Sequence, residues 1–305
     1  MTNRSAVSTL AREFHLPADV SLKPYTAFHI GGPADLLAQP SDKEDLIRLM
    51  TRAAELDIPF TVFGGGSNLL VRDKGIRGLV ILTRKMKSDI RIINTGKTHT
   101  VVEADAGEKL AGLCRFANAG GLSGLEFAAG IPGTLGGALM MNAGTPAGCI
   151  ADILVSVTLL DTAEMTVHAV DRDDLRFSYR HLDCSGVILS AQFRMGNAAP
   201  EKVQSVYGRH LDRKHKTQPM SQPSAGCFFK NPEGAAPAGK LIEDAGLKGK
   251  KINDAMVSDI HANYIVNLGN ATCRDVLLLQ EMIVDSVWKQ FRVQLETEVR
   301  IEGEK

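Results

Sequence analysis

The chain contains 305 residues, of which 44% are hydrophobic, and its 35 Lys and Arg residues balance 35 Asp and Glu residues. This length predicts more than one domain, because single hydrophobic cores stop growing near about 250 residues. A net charge of zero argues against a nucleic acid or an anionic membrane as a partner, and the lack of a long apolar run or a signal-peptide core predicts a cytoplasmic protein.

The N-terminal part predicts strands around one helix. A short strand at 34–40 precedes a helix over 41–57, with Ser41 as its N-cap and Glu44 three residues later. The apolar run at 59–63 is typical of a strand that enters the loop GGGSN. Aliphatic and β-branched segments predict the next strands at 78–83 and 98–107.

The middle of the chain predicts a helix followed by more strands. The helix covers 108–121 and ends at paired glycines. Beyond residue 197 the composition becomes basic and helical, so we expect a domain boundary near that residue. Strands rich in Val, Ile and Leu are predicted at 152–161, 165–170 and 186–195.

The C-terminal part predicts two helices and a closing strand. A basic helix covers 201–216, and the last long helix begins at Thr272 with Asp275 in the capping position. Alternating charged and apolar residues predict a strand over 293–303. The last helix has an apolar stripe, which we interpret with Trp288 and the methionine as core: Val276, Leu279, Ile283, Val287 and Phe291.

Glycine-rich loops are the first candidate binding features: HIGGPAD around Gly31 and Gly32, GGGSN at 64–68, and GIPGTLGGALMMNAG at 130–144. Successive backbone N–H groups without a Cβ can surround an anion such as a pyrophosphate. Neither G-x-G-x-x-G after a strand nor G-x-x-x-x-G-K-[ST] occurs, so the patterns support neither a Rossmann site nor a P-loop. Plain turns remain the alternative for each loop taken singly.

The five cysteines are odd in number, and no two have the spacing of a metal pair or a redox motif. We therefore predict no metal. Cys227 lies in SAGCFFKNP, whereas the others are interpreted as small buried residues. His261, in SDIHANYIVN, could contact a nucleotide or cap a turn, but we favour a structural role for a lone histidine. The other four thiols are Cys114, Cys149, Cys184 and Cys273.

Six motifs occur in a fixed order: GGGSNLLV, IPGTLGGALMMNAG, FSYR, SAGCFFKNP, AGKLIEDAGLKG and LETEVR. Together they resemble the UDP-N-acetylenolpyruvoylglucosamine reductase (MurB) family over roughly residues 18–302. The resemblance implies an α+β fold with an FAD-binding domain of the PCMH and vanillyl-alcohol-oxidase type in two subdomains, followed by an α+β substrate domain. The implied divisions are 18–83 with the C-terminal strand 293–303, 84–197, and 198–292.

The resemblance also implies a reaction of peptidoglycan synthesis. NADPH reduces tightly bound FAD, and the enolpyruvyl ether of a UDP-sugar is then reduced to the lactyl ether of UDP-N-acetylmuramate. It implies no obligatory protein partner. The run from Arg180 to Gly196 lacks the insertion that carries a substrate-capping tyrosine in the longer subtype, so this chain is similar to the shorter one.

Residue roles follow from the matched motifs. The resemblance implies Arg180, Cys227 and Glu298 as catalytic residues. Positions that match flavin-binding residues are Gly64, Gly65, Gly66, Ser67, Asn68, Ile131, Pro132, Gly133, Gly136, Gly137, Asn142 and Gly144. Positions that match substrate- or nicotinamide-binding residues are Tyr179, Arg213, Lys216, Lys230 and Asn231.

The chemistry is consistent with these residue types. Hydride addition to an enolpyruvyl group leaves an enolate-like negative charge, which the planar cation of Arg180 can stabilise. An unperturbed thiol has a pKa of about 8.5, so Cys227 is predicted to be protonated at neutral pH and able to protonate the carbanion. Glu298 is predicted to lie on the same strand face as Glu296 and to orient the intermediate or balance Arg180. A solvated strand-edge charge remains the alternative for Glu298.

Two other functions remain open at this level. An oxidase or dehydrogenase of the same flavin superfamily would share the FAD domain, although the CFFKNP and LETEVR motifs argue against it. A nucleotide-sugar binding module without redox activity would be colourless as purified, whereas a flavoenzyme would be yellow.

Overall fold

The computed structural model describes residues 4–86 and 89–305. Within them the α-helices are α1 (Arg4–Glu13), α2 (Lys43–Glu55), α3 (Leu110–Ala119), α4 (Leu135–Met140), α5 (Pro200–Thr217), α6 (Ala238–Asp244) and α7 (Cys273–Phe291). The first ten strands are β1 (Ala18–Ser21), β2 (Pro33–Ala38), β3 (Phe60–Phe63), β4 (Leu69–Val71), β5 (Ile76–Leu82), β6 (Ile90–Thr95), β7 (His99–Asp105), β8 (Leu122–Ser123), β9 (Gly144–Thr145) and β10 (Gly148–Cys149). The later strands are β11 (Leu154–Leu160), β12 (Val167–Asp171), β13 (Arg176–Ser178), β14 (His181–Asp183), β15 (Val187–Asn197), β16 (Ser224–Cys227), β17 (Lys251–Ile252), β18 (Ala255–Val257), β19 (Tyr264–Asn267) and β20 (Arg300–Glu302).

The chain divides into two compact units, each assembled from separate stretches of sequence. The first unit comprises the N-terminal residues up to Leu16, Ala38–Gly65 and Val80–Lys214. The second comprises Pro17–Leu37, Gly66–Leu79 and His215–Lys305. No described helix has both the length and the apolar character needed to cross a membrane.

The first unit is built on an antiparallel sheet with the order β12-β11-β15-β7-β6, and β8 pairs with the end of β15. Its strands bury alternate side chains, as in β7, where Thr100, Val102 and Ala104 are buried. Apolar residues of α3 and α4 pack against that face in one core cluster. The sheet and its helices thereby support the loops that flank α4.

The second unit contains an antiparallel sheet with the order β16-β19-β18-β17. The apolar face of α7 packs with this sheet in a core cluster that includes Phe228, Phe229 and Ile265. The last strand, β20, lies parallel to β4, with Arg300 opposite Leu69. The C-terminal end of the chain is therefore paired with a segment near its first quarter.

Most of the predicted helices and strands are present, but α2 begins differently from the prediction. Its N-cap is Asp42, whose Oδ1 accepts the Asp45 N–H at 2.8 Å. The backbone N–H of Ser41 instead donates to Asp45 Oδ2. Ser41 as the cap was wrong, because the carboxylate of Asp42, one residue later, accepts the Asp45 N–H and also carries a favourable charge at the helix start.

The prediction for α7 is confirmed at its start and wrong at two exposed positions. Thr272 and Asp275 form the capping box, and four stripe residues from Val276 to Val287 are fully buried. Trp288 and Met282 are 44% and 39% exposed, so they do not belong to the core. They lie on the part of the helix that faces away from the buried stripe.

The expected strand over 293–303 is limited to β20. The preceding segment forms an isolated bridge between Thr297 and Phe229. Leu295 and Val299, four residues apart, are both buried, as the predicted alternation of inward apolar residues requires, although regular strand pairing covers only Arg300–Glu302. Glu296 and Glu298 nevertheless differ in exposure, as described below.

Candidate active site

Two glycine loops of the first unit come into contact at their backbones. Gly64 and Gly65 follow β3, and Gly133 precedes α4. A Cβ placed on Gly65 would lie 2.6 Å from the Gly133 Cα, and one on Gly64 would lie 2.1 Å from Thr134 Oγ1. Gly133 has a φ of 107°, which other residues rarely adopt. These positions require glycine, and the absence of a side chain there allows a bound molecule to approach the backbone N–H groups.

Buried oxygen atoms next to these loops need hydrogen-bond donors or acceptors from elsewhere. Thr134 is 2% exposed, and its Oγ1 has no hydrogen-bond partner among the described residues. The Oδ1 of Asn142 is buried and likewise has no partner within the described part of the chain. An unsatisfied buried polar group costs about 1–3 kcal/mol. A ribityl hydroxyl group of a flavin would supply a donor for Asn142 Oδ1, and a hydroxyl or phosphate oxygen would accept from Thr134 Oγ1, so these two groups fit FAD.

The predicted catalytic arginine lies in a tight hairpin next to the second glycine loop. Tyr179 and Arg180 connect β13 to β14, and Arg180 has a left-handed φ of 59°. Its Nη1 donates to the Gly144 carbonyl at 2.9 Å, while Asn142 Nδ2 donates to the Ser178 carbonyl at 3.0 Å. The hairpin is thus fixed to the end of the predicted flavin loop by two hydrogen bonds.

The other predicted flavin residues have varied positions. Gly66 and Asn68 lie in the second unit, where Asn68 Nδ2 donates to the Glu298 carbonyl at 3.1 Å. The Arg300 N–H donates to the Asn68 carbonyl. Asn68 therefore holds the backbone of a predicted catalytic residue in addition to the flavin role predicted for it. Among the remaining positions, Ser67, Ile131, Gly136 and Gly144 are buried or half-buried and Pro132 and Gly137 are exposed.

Cys227 is the last residue of β16 and is half-buried. Its pairing with β19 shifts register between Ser224 and Cys227, and Gly226 adopts a φ of 83° at this irregularity. Bulges of this kind redirect the following side chain. Cys227 is placed directly opposite Tyr264 as a result.

The segment after Cys227 is held by a buried asparagine that the sequence analysis did not single out. Asn263 is 3% exposed, and its side chain accepts from the Phe229 N–H at 2.9 Å and donates to the Phe229 carbonyl at 2.8 Å. Its own carbonyl accepts the Phe228 N–H. A polar residue within the apolar context of HANYIVN was the available signal, because buried amides must be hydrogen-bonded.

Glu298 lies on the other side of the same segment. Its N–H donates to the Phe228 carbonyl at 2.8 Å, and the Lys230 N–H donates to the Glu296 carbonyl. Glu298 is half-buried, whereas the Glu296 side chain is 75% exposed and pairs with Lys230 Nζ at 3.6 Å. The structure thus places Cys227 and Glu298 on two neighbouring, hydrogen-bonded segments of the second unit, and it exposes Glu296 more than Glu298.

The predicted substrate-binding residues are mainly exposed. Tyr179 is 50% exposed, with the Arg180 guanidinium 5.1 Å from its ring centroid. Arg213 and Lys216 are exposed on α5. The Oδ1 of Asn231 accepts the Ala238 N–H at the start of α6. Exposed cations and an aromatic ring are suitable for a charged nucleotide sugar.

Two of the remaining thiols are not the buried residues that were predicted. Cys114 and Cys273 are buried, and burial raises the pKa of each to about 12. Cys149 and Cys184 are half-exposed, and the Cys149 thiol donates to Asp152 Oδ1. These two thiols make local hydrogen bonds in turns, a role that composition alone does not distinguish from core packing.

His261 has the structural role that was predicted. Its Nδ1 accepts the Asn263 N–H at 3.2 Å, and its ring packs edge-on to Tyr264. Burial lowers the pKa of His261. Across the described residues, no group of three or more His, Cys, Asp and Glu side chains has the arrangement of a metal site.

Comparison with known proteins agrees with this geometry. Residues 34–170 match the FAD binding domain family, and residues 218–302 match the UDP-N-acetylenolpyruvoylglucosamine reductase C-terminal domain family. A UDP-N-acetylenolpyruvoylglucosamine reductase of Agathobacter rectalis is 44% identical over 94% of this chain and 93% of its own length. The chain belongs to the UDP-N-acetylenolpyruvoylglucosamine reductase family.

Other members of this family are similar over most of the chain. The reductase of Moorella thermoacetica is 41% identical over 93% of this chain and 92% of its own length. The crystal structure of the Thermus caldophilus enzyme (MurB) is 36% identical, covers 94% of this chain and 99% of its own, and has a TM-score of 0.77. The predicted resemblance, the α+β fold class with its PCMH-type FAD-binding domain, and the FAD cofactor are confirmed.

Proposed function

We propose that this protein uses FAD and NADPH to reduce the enolpyruvyl ether of UDP-N-acetyl-3-O-(1-carboxyvinyl)glucosamine to UDP-N-acetylmuramate in peptidoglycan precursor synthesis. The observation that carries the proposal is the match of both parts of the chain, the FAD-binding part and the reductase-specific C-terminal part. A general flavin oxidase would require only the first. A UDP-sugar substrate and a reduced nicotinamide cofactor are cytoplasmic metabolites, so the proposal places the enzyme there.

The two glycine loops that touch at Gly65 and Gly133 would hold the cofactor. Backbone N–H groups around Gly65 and Gly133 suit the pyrophosphate, and the oxygens of Thr134 and Asn142 suit the hydroxyl groups of the ribityl chain. Bound FAD would accept a hydride from NADPH and supply one to the substrate. The further predicted flavin positions, including Ser67 and Ile131, belong to the same proposal.

Arg180 is proposed to stabilise the charge that develops on the substrate. Hydride addition at the terminal carbon leaves negative charge on the neighbouring carbon and its carboxylate. A guanidinium stays cationic and matches a carboxylate with two parallel N–H donors. Its hydrogen bond to the Gly144 carbonyl fixes the orientation of the group before the substrate arrives, which removes a reorganisation cost at the reaction step.

Cys227 is proposed to donate the proton that completes the reduction. The thiol gives its proton to the carbanion carbon, and sulfur keeps the electron pair until water restores the thiol. Glu298, held by the Phe228 carbonyl and by Asn68, is proposed to orient the intermediate or to balance Arg180. Tyr179, Arg213, Lys216, Lys230 and Asn231 are proposed to bind the UDP-sugar or the nicotinamide cofactor.

An anaerobic rapid-mixing experiment separates the candidate functions through the flavin absorbance. The wild-type protein should be yellow, should lose its absorbance with NADPH, and should regain it with the enolpyruvyl UDP-sugar without oxygen. Reduction without reoxidation by that substrate would favour a different flavin dehydrogenase. A colourless protein that binds UDP-sugars would favour the binding module.

Variants assign the individual steps. Cys227→Ser should retain substantial reoxidation, and Cys227→Ala should lose it while reduction by NADPH persists. Glu298→Gln should slow reoxidation far more than reduction. Cys184→Ala is the matched control, because Cys184 belongs to the other unit and its thiol makes local hydrogen bonds to Gly186. Unimpaired turnover of Cys227→Ala would refute the proton-donor assignment, and equal slowing of both steps by Glu298→Gln would refute that role.

A further inference from the structure

Tyr264 shares one face of the second-unit sheet with Cys227. The two residues are direct partners across the antiparallel strands β16 and β19. Side chains at directly opposed positions of an antiparallel pair project to the same face, with Cβ atoms about 4.5–5.5 Å apart. The phenol ring and the thiol are therefore neighbours as a consequence of backbone pairing.

The surroundings of Tyr264 leave its hydroxyl group a restricted choice of partner. Tyr264 is 9% exposed and packs with Met256 and Val266 in a small apolar cluster against which Cys227 also packs. Buried tyrosine hydroxyls are almost always hydrogen-bonded. Burial raises the pKa of Tyr264 far above its ordinary value, and the charge of Cys227 and its hydrogen bond to the phenol raise this pKa further. The phenol thus keeps its proton and is available to donate a hydrogen bond to the sulfur.

The backbone around Tyr264 is fixed on both sides. Its N–H donates to the His261 carbonyl at 2.9 Å, and its carbonyl accepts the Ser258 N–H at 2.8 Å. Its ring lies 5.1 Å from the imidazole of His261, whose Nδ1 is held by the Asn263 N–H. The ring therefore has a defined position relative to β16, as a positioning residue requires.

We propose that Tyr264 is a positioning residue for Cys227, whose phenol O–H donates a hydrogen bond to Sγ and stabilises the thiolate that remains after proton transfer. The inference rests on the proposed proton-donor role of Cys227. In that step the S–H bond breaks, a C–H bond forms on the substrate, and sulfur retains the electron pair. The phenol keeps its own proton, and water supplies the proton that restores the thiol.

The groups that act on this pair electrostatically come from three elements. Tyr264 belongs to β19, and His261, which packs against it, belongs to the preceding turn. Glu298 belongs to the C-terminal segment, and its charge also raises the pKa of Tyr264. Burial lowers the pKa of His261, which favours its neutral form. A donor to the thiolate favours the charged form of sulfur. Removal of the phenol should therefore shift thiol ionisation to higher pH.

The test measures ionisation of the thiol directly, independently of turnover. Iodoacetamide alkylation of Cys227 is followed by mass spectrometry as a function of pH in the wild type, in Tyr264→Phe and in Tyr264→Leu. Both variants lack the hydroxyl, and the first changes only one buried atom. The midpoint for Cys227 should rise by about one to two pH units in both, the range expected when a charged acceptor loses one hydrogen bond.

Cys149 is the internal control in the same samples. It lies in the other unit, so its alkylation curve should not move in either variant. Superimposable Cys227 curves for the wild type and the folded variants would overturn the inference and leave the proposed function intact. A shift of the Cys149 curve as well would also overturn it, because the change would then be global.

A second readout connects the hydrogen bond to the reaction. In Tyr264→Phe, the alkaline limb of the pH profile for flavin reoxidation by substrate should move upward by the same one to two units, while reduction by NADPH is unchanged. If Cys227→Ala turns over normally, the proposed proton donor is wrong. The alkylation curves would still decide whether Tyr264 controls the thiol, so the two failures remain distinguishable.

Discussion

Gly65→Ala is expected to weaken FAD binding, because it adds a methyl group where two loops touch. The new Cβ would lie 2.6 Å from the Gly133 Cα, whereas non-bonded carbons pack at about 3.5–4.0 Å. The loops must separate by roughly 1 Å to relieve this contact. Overpacking of this size costs about 1–3 kcal/mol. If the cost falls on the bound conformation, the Kd for FAD rises by about 5- to 150-fold.

Gly208→Ala provides the matched control for this experiment. Gly208 lies within α5, and an added Cβ meets nothing within 4 Å. The same chemical change there should raise helix stability by up to about 1 kcal/mol and leave FAD binding unchanged. The assay is flavin content after purification together with titration of the apoprotein with FAD. Wild-type affinity in Gly65→Ala would refute the assignment of this loop contact to the cofactor site.

The remaining predictions concern stability. Asn263→Ala leaves the buried N–H and carbonyl of Phe229 unpaired, so the free energy of unfolding in urea should fall by about 2–6 kcal/mol. The control Asn270→Ala, at an exposed position, should change this free energy by less than about 0.5 kcal/mol. Similar values for both variants would contradict the role of the Asn263 amide. Burial opposes a low pKa for Asp275, but hydrogen bonds from Thr272 outweigh it and lower that pKa. The resulting stability is present above the unfolded-state pKa of about 3.9 and is lost as pH falls through the lower folded-state value. In Asp275→Asn, the free energy of unfolding in urea should therefore depend less on pH in the acid range. An unchanged pH dependence would contradict this role of Asp275.

Local patterns predicted the elements that depend on nearby residues. The capping box of Thr272 and Asp275 and the buried stripe of α7 follow from spacings of three and four residues, which the sequence contains directly. The error at Ser41 has the same origin. Ser41 and Asp42 are both good N-caps, and the choice depends on which backbone conformation the preceding strand imposes.

Long-range pairing accounts for what the sequence analysis missed. Tyr264 and Asn263 become important because β19 lies beside β16, a relation between segments more than thirty residues apart that no local pattern contains. Thr134 appears as an ordinary residue in GIPGTLGG until its buried oxygen is seen to have no partner among the described residues. The expected strand over 293–303 is limited for a similar reason. Its first half keeps the alternation of burial but forms only an isolated bridge, between Thr297 and Phe229, because regular pairing depends on the segment that lies beside it.

The pairing of β20 with β4 has a consequence for how the protein is made. Asn68 and Glu298, joined by a hydrogen bond, are separated by 230 residues of sequence. During translation β4 leaves the ribosome long before its partner strand has been synthesised. The second unit therefore cannot close until β20 has been synthesised, and before then β4 has an unpaired edge, the condition under which chaperones are most needed.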